Sequence, residues 1–550
     1  MKVCERIAEG FKAEGVRAVF GMMGASTIGF YQSIHDKGIK LIDVRHEGFG
    51  LGMADGWYRA TKTVGVCTST EGPGIAQLST GLLTAGRAGS AVVVFVGDCA
   101  TTDHEHVQNM DQHLYARGCE AGFIRLDVPA LVDDVVRDAF RRARLELRPV
   151  ILSVPVDVQN MQVDLDEPYE PLSALMPPPQ PMYPSPKLIA QVADILAGSR
   201  KPVIFAGRGA IESGAAAAVQ SLAKRIGALV STSLRGKNFL ADDEFQVGIS
   251  GHYGTRTAMQ LFEDADCVIA VGAALNRYTT SNGYLYPNAR IVQIDVQPHV
   301  LVQAGRRADV YVQADARAAL EEIDQVLAKR SVQLTGYRTA EVKAQLKHNF
   351  DDPAEFPIEP GCVDAREVCR MLEELIPGDI PLATAGGAAG GFTNLLFNKP
   401  RPFVLAGHYF GCTGQMLPAA MGACAAIGNK PVLLLEGDAG MMMHLADFDT
   451  AVRYNMPVLA IVLNDEALGI EYQMMVARKL DSKLASVPTP NMGAVAIALG
   501  ARGCLARSVE EVRKAAQEWL ANPGPMIIDV RIGRQVLTLS QRRLLYARDE

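Results

Sequence analysis

Two short acidic residues, Asp438 and Asp465, stand just past two apolar runs, 432–435 and 457–463. Between the runs, Met441, Leu445, Phe448 and Val452 recur at helical spacing, so the stretch reads as strand, helix, strand. In a parallel βαβ unit both strands finish on one edge, where ligands of open α/β sheets bind. Oxygen side chains there suit Mg²⁺ or Ca²⁺, and Mg²⁺ commonly joins one or two carboxylates to phosphate oxygens. Gly437, Ala439 and Gly440 keep the first turn small, and a helix opening at Gly440 would offer its N-terminus to phosphate. The chemistry implied is a metal-held diphosphate.

A second set of strand-end loops lies near the N-terminus. Runs 16–20, 39–44 and 64–68 lead into Gly24-Ala25-Ser26, Arg45-His46-Glu47 and Glu71-Gly72-Pro73-Gly74. All three would share one edge of a parallel sheet. Gly97-Asp98 repeats Gly437-Asp438, but no Asn-Asp pair follows at the matching interval, so it reads as a plain strand end.

The elements that must position these residues belong to a large α/β chain. Its 550 residues exceed one ordinary core and call for about three domains. Eight prolines fall within 168–186, and 351–361 reads DDPAEFPIEPG. These stretches divide the chain into 1–165, 187–340 and 362–535, with a tail at 536–550. Strand–glycine punctuation recurs in every part, which predicts three doubly wound parallel-sheet domains. The net charge of −7 leaves no basic footprint for nucleic acid. No apolar run reaches the ~20 residues that span a bilayer, and the N-terminus reads as an amphipathic helix with acidic residues, not a signal peptide. Ten cysteines without CxxC pairs fit free thiols in a reducing cytoplasm.

Gly437-Asp438-Ala439, 24 residues (440–463), then Asn464-Asp465 resembles the G-D-G…N-N signature of thiamine diphosphate enzymes. The resemblance runs over nearly the whole chain and is nearest to the acetolactate synthase-like, benzoylformate decarboxylase-like superfamily. Ala439 replaces a glycine, and Asp465 replaces an asparagine. The resemblance implies metal ligands at Asp438, Asp465 and the backbone oxygen of Ala467. It implies that Glu47 is the catalytic glutamate, partly desolvated and with a raised pKa, which bonds the aminopyrimidine ring so that the cofactor's C2 proton can leave. The alternative is that Glu47 only caps the helix starting near His46.

Segment 407–428 resembles the family's G-x-(Met/Leu/Ile)-G-x-x-L-P-A-A-x-G, with Gly411 and Cys412 leading to Thr413 at the place of the apolar wedge under the cofactor. Gly386, Gly387 and Ala388 follow a strand and would let backbone N–H groups reach the diphosphate. Gly24, Ala25, Pro73, Leu468 and Gly469 complete the implied cofactor site. Gln108 resembles the glutamine that faces the reacting carbon in acetolactate synthase-like enzymes; its alternative is a surface glutamine. Ser26 is a candidate donor to a substrate carboxylate, or a cap for a helix beginning at Thr27. Glu71, Ile470 and Gln473 are substrate-pocket candidates. His104, His106 and His113 show no further ligand set at metal spacing; a solvated loop is the default and a proton shuttle the alternative.

Segments 251–255 and 272–279 resemble those that hold FAD or ADP in some relatives, but a nucleotide-free central domain is preferred. By resemblance the cofactor lies between the first domain of one subunit and the third of another, in a homodimer or homotetramer. The reading is a thiamine diphosphate- and Mg²⁺-dependent lyase or carboligase acting on a 2-oxo acid such as pyruvate. Its rivals are a simple decarboxylase, a flavin-dependent oxidase, a hydrolase or acyl-CoA lyase, and a non-catalytic homologue.

Overall fold

A computed structural model describes residues 1–178, 180–297 and 305–546. Residues 298–304 of the expected central domain and 547–550 of the expected tail lie outside them. The described residues form three six-stranded, all-parallel sheets.

The first sheet contains β1 (Ala18–Gly21), β2 (Lys40–Asp43), β3 (Gly65–Ser69), β4 (Val92–Asp98), β5 (Gly122–Arg125) and β6 (Pro149–Pro155), in the order 2-1-3-4-6-5. The second contains β7 (Pro202–Ala206), β8 (Leu229–Thr232), β9 (Gln246–Ile249), β10 (Cys267–Val271), β11 (Arg290–Asp295) and β12 (Val310–Gln313), in the order 12-11-10-7-8-9. The third contains β13 (Leu382–Thr384), β14 (Val404–Ala406), β15 (Val432–Gly437), β16 (Val458–Asn464), β17 (Arg502–Ala506) and β18 (Met526–Arg531), in the order 14-13-15-16-18-17. Counted within each sheet, the first and third orders are identical. The middle one is the 3-2-1-4-5-6 order of doubly wound dinucleotide-binding folds.

The central strands are continuous apolar runs because helices cover both faces. Along β4, Val92, Val94 and Val96 enter one core while Val93 and Phe95 enter another. β16 divides likewise, Val458, Ala460 and Val462 against Leu459, Ile461 and Leu463. One core is common to the first and third sheets. It is closed by helix Glu47–Thr61 packing on helix Met416–Ala426.

One expectation needs correction. The single helix expected through Met441–Val452 breaks into helix Asp438–Met443, a 3₁₀ turn Leu445–Asp447 and helix Phe448–Arg453. Tertiary contacts override the periodicity: the His444 ring packs against His46 and Phe49, and Asp447 accepts the Arg45 N–H at 2.7 Å. The C-terminal stretch, whose placement the sequence left open, is docked on the protein. Helix Leu539–Tyr546 docks through Arg542, whose guanidinium bonds Asp352 at 2.8 Å.

Candidate active site

Where strand order reverses in an open α/β sheet, the loops on either side diverge and leave a crevice at the strands' carboxyl ends. In the first sheet that point lies between β1 and β3, and in the third between β13 and β15. Both groups of candidate residues occur there.

In the third sheet, the loops after β13, β15 and β16 surround a cleft of about 120 Å³. It is lined by Gly386, Gly387 and Ala388 from the first loop and by Gly437, Asp438, Ala439 and Gly440 from the second. Asp465, Ala467, Leu468, Gly469 and Ile470 come from the third, and Gly411, Cys412 and Thr413 from the loop after β14. Helix Gly387–Leu396 opens on this cleft with no side-chain cap, and Gly387 takes φ +64°, a left-handed conformation suited to glycine. A Cβ at Gly411 or Gly437 would meet nothing within 4 Å. Part of the cleft wall is thus bare backbone at an uncapped helix N-terminus, which fits a diphosphate.

The two aspartates fit a cation beside it. Asp438 is 3% exposed and its Oδ2 is buried without a partner. Burial, then the nearby Asp465, pushes the Asp438 carboxyl up to about 7. Burial likewise lifts Asp465 to about 6, although the Ala467 N–H donates to its Oδ1 at 3.2 Å. Two neighbouring buried carboxylates, of which Arg534 relieves Asp465 only in part, are costly unless a cation joins them. The chain then turns through Glu466 at φ +52°. Asn464, the first residue of the Asn-Asp pair, faces inward, its Nδ2 donating to Asp529 at 2.8 Å and Thr489 at 2.9 Å. It holds β16 to β18 while the next residue faces the cleft.

In the first sheet, Glu47 begins helix Glu47–Thr61 at 9% exposure. The capping alternative fails: His46 is the cap, its Nδ1 accepting the Gly48 N–H at 3.1 Å while its Nε2 meets Gln77 Oε1 at 3.1 Å. Among the described residues, the Glu47 carboxylate has no hydrogen-bond partner. The loop bearing Pro73 and Gly74 lies over it, since a Cβ at Gly74 would stand 3.4 Å from Glu47 Oε1.

Ser26 does not cap a helix either. It is 3% exposed within the 3₁₀ turn Ala25–Thr27, and its hydroxyl donates to the buried carboxylate of Glu71, as does that of Thr70. The loop is pressed onto the ends of β4 and β3: a Cβ at Gly97 would lie 2.0 Å from Ser26 Oγ, and one at Gly24 would lie 2.4 Å from Thr70 Cβ. Gly97 is therefore small to admit Ser26, which accounts for its likeness to Gly437. Gln108 is half-buried, its backbone against Gly72, where a Cβ would meet the Gln108 carbonyl at 2.5 Å.

One expected placement is absent. Gln473 does not line the cleft; it is 5% exposed and its Nε2 reaches the carbonyls of Arg534 (3.4 Å) and Val536 (3.5 Å), tying its helix to the C-terminal segment. Of the three histidines whose default reading is a solvated loop, His104 is exposed, His113 packs on Phe123, and His106 turns inward, its Nδ1 lying 3.4 Å from Cys99 Sγ. Sequence reasoning missed Cys99, which is lost among nine other cysteines and comes near Glu71 only when β3 and β4 pair.

Comparison with known proteins identifies the family. Family models described as "Thiamine pyrophosphate enzyme" match residues 1–115 (N-terminal TPP binding domain), 189–323 (central domain) and 385–530 (C-terminal TPP binding domain). The chain is 30% identical to the acetolactate synthase isozyme 3 large subunit of Escherichia coli, over 88% of this chain and 86% of the other. It is 29% identical to a probable acetolactate synthase large subunit of Methanocaldococcus jannaschii (96% and 92%). It is 28% identical to a sulfoacetaldehyde acetyltransferase of Castellaniella defragrans (94% and 90%). No helix of the described residues is long and apolar enough to cross a membrane. With three matched domains and full-length relatives, the chain belongs to the acetolactate synthase-like thiamine diphosphate-dependent enzymes.

Proposed function

We propose that this enzyme removes carbon dioxide from a 2-oxo acid, pyruvate first among the candidates, and joins the remaining acyl unit to a second carbonyl compound. The observation that carries this reading is the presence of two half-sites at equivalent switch points, in a chain similar over its whole length to acetolactate synthase large subunits. Domain limits of 1–165, 187–340 and 362–535 go with it.

Bound thiamine diphosphate supplies the carbon nucleophile and the electron sink that decarboxylation of a 2-oxo acid requires. Asp438, Asp465 and the carbonyl of Ala467 would hold Mg²⁺, and the N–H groups beginning helix Gly387–Leu396 would bind the diphosphate. Glu47, 9% exposed, would carry the exchanged proton on its carboxyl. Ile470, at the cleft, and Ser26 and Gln108, on the first domain, would face the substrate.

Within one chain the cleft is lined by residues of the third domain alone. Leu468 and Met443 beside it stay 43% and 60% exposed. Both features support a homodimer or homotetramer in which a second copy brings its Glu47 half-site to the cleft.

The test is product analysis by NMR with thiamine diphosphate, Mg²⁺ and a panel of 2-oxo acids, with Glu47→Gln alongside. Acetolactate or acetoin from pyruvate supports carboligation. Free aldehyde means a simple decarboxylase, and a colourless protein that takes up no FAD removes the oxidase. Full activity in Glu47→Gln would sink the mechanism. The likeness to a sulfoacetaldehyde acetyltransferase favours a second reading, acyl transfer to a different acceptor. Turnover that depends on adding that acceptor would mark it.

A further inference from the structure

We propose that Glu71, Cys99 and His106 form a binding site for a second, chemically different cation, a zinc-like divalent ion. Glu71 follows β3, Cys99 follows the adjacent β4, and His106 lies in the loop beyond. A ligand atom from each falls within 4.8 Å of the others. Sulfur, imidazole nitrogen and carboxylate oxygen together suit zinc and are a poor set for Mg²⁺, which takes oxygen.

The distances agree with a shared ion. Zinc bound at about 2.3 Å from sulfur and about 2.0–2.1 Å from nitrogen, in tetrahedral geometry, sets those two ligands roughly 3.6 Å apart. Cys99 Sγ and His106 Nδ1 are 3.4 Å apart. The Gln108 N–H also approaches His106 Nδ1, at 3.3 Å, and would give way to the ion.

The carboxylate is already oriented. Ser26 and Thr70 both donate to Oε2 of Glu71, which leaves Oε1 for a cation. Hydrogen bonds of this kind fix the direction of metal-binding groups and sharpen affinity. Glu71 is 3% exposed and Cys99 8%, so both groups are held in place. Three protein ligands leave a fourth position for water or a substrate oxygen. The site shares no residue with Asp438, Asp465 or Ala467, and it does not depend on the reading of the reaction.

The test loads metal-stripped full-length protein with Zn²⁺ in excess Mg²⁺, removes free metal by gel filtration and counts zinc by mass spectrometry. About one zinc per chain is expected in the wild type and in Asp438→Ala. At least a tenfold loss is expected in Cys99→Ala and in His106→Ala, the latter a loop variant that guards against misfolding of the former. Co²⁺ in place of zinc should give a thiolate-to-cobalt absorption band that Cys99→Ser abolishes. Substoichiometric zinc in the wild type, or a cobalt band that survives Cys99→Ser, would overturn the proposal. Zinc lost from Asp438→Ala but kept in His106→Ala would place the ion at the cleft and overturn it equally.

Discussion

Gly56 and Gly422 make the same contact from opposite sides of one helix crossing. A Cβ on Gly56 would stand 2.0 Å from the carbonyl oxygen of Ala419, and one on Gly422 would stand 1.9 Å from that of Met53. Each glycine faces the carbonyl three residues before the other. The two helices follow the second strand of sheets that share one strand order, so the crossing is a local two-fold between the first and third domains.

This contact predicts the behaviour of Gly56→Ala. Helix propensity alone would favour alanine by about 1 kcal/mol. The obstacle is backbone, which cannot swing aside, and overpacking of this kind costs about 1–3 kcal/mol. A net lowering of the urea midpoint is expected for Gly56→Ala and for Gly422→Ala. An unchanged midpoint in both would mean that the helices do not approach so closely.

Asp438→Asn tests the cation reading of the cleft. Removing one of two buried carboxylates should relieve repulsion in the free protein and weaken the Mg²⁺-dependent uptake of thiamine diphosphate. Calorimetry at fixed Mg²⁺ should show affinity lower by at least about tenfold, or ~1.4 kcal/mol. Equal affinity would remove Asp438 from the metal site.

His408 gives a pH dependence with a definite sign. Its Nε2 pairs with Tyr253 Oη at 2.8 Å, its Nδ1 is buried without a partner, and burial pulls its pKa down to about 4. The unfolded chain takes up that proton near 6.5, the folded protein only near 4. Between those values the unfolded state binds more protons, so stability rises with pH and levels off above about 6.5. His444, lowered to about 4 by burial and then by His46, adds a slope of the same sign. Urea titrations at pH 5 and pH 7 should show a smaller difference for His408→Gln than for the wild type. An equal difference would show that His408 is not buried neutral.

Arg542→Ala should free the C-terminal helix. Arg542 and Asp352 are both largely buried, and Arg366 lies 3.4 Å from the same carboxylate. Breaking one partner from a buried pair costs about 3–5 kcal/mol. Limited proteolysis should cleave near residues 533–546 much faster in the variant, with the three sheets still protected.

The residues nearest to strand ends were the most legible in the sequence. Asp438, Asp465 and Glu47 each follow an apolar run, and parallel strands carry such residues to one edge by geometry alone. What stayed hidden depends on contacts between loops. Glu71 and Ser26 were visible as separate candidates, but their hydrogen bond with each other was not, and Cys99 had no signal beyond its type. The break at His444 is set by Arg45, His46 and Phe49, some 400 positions away. Gln473 matched a motif, yet its carboxamide is claimed by the backbone of Arg534 and Val536. The helix crossing gave no apolar stripe to read, because its key residues are glycine, alanine and proline.

The reciprocal glycine contact also bears on ancestry. An interface in which each partner offers the same residue to the same atom of the other is what a symmetric pair of identical subunits makes. Here the two partners are successive parts of one polypeptide. The simplest history is a small self-pairing protein whose gene was copied and fused. In such a history the two copies would differ most at their strand-end loops and least at the seam between them.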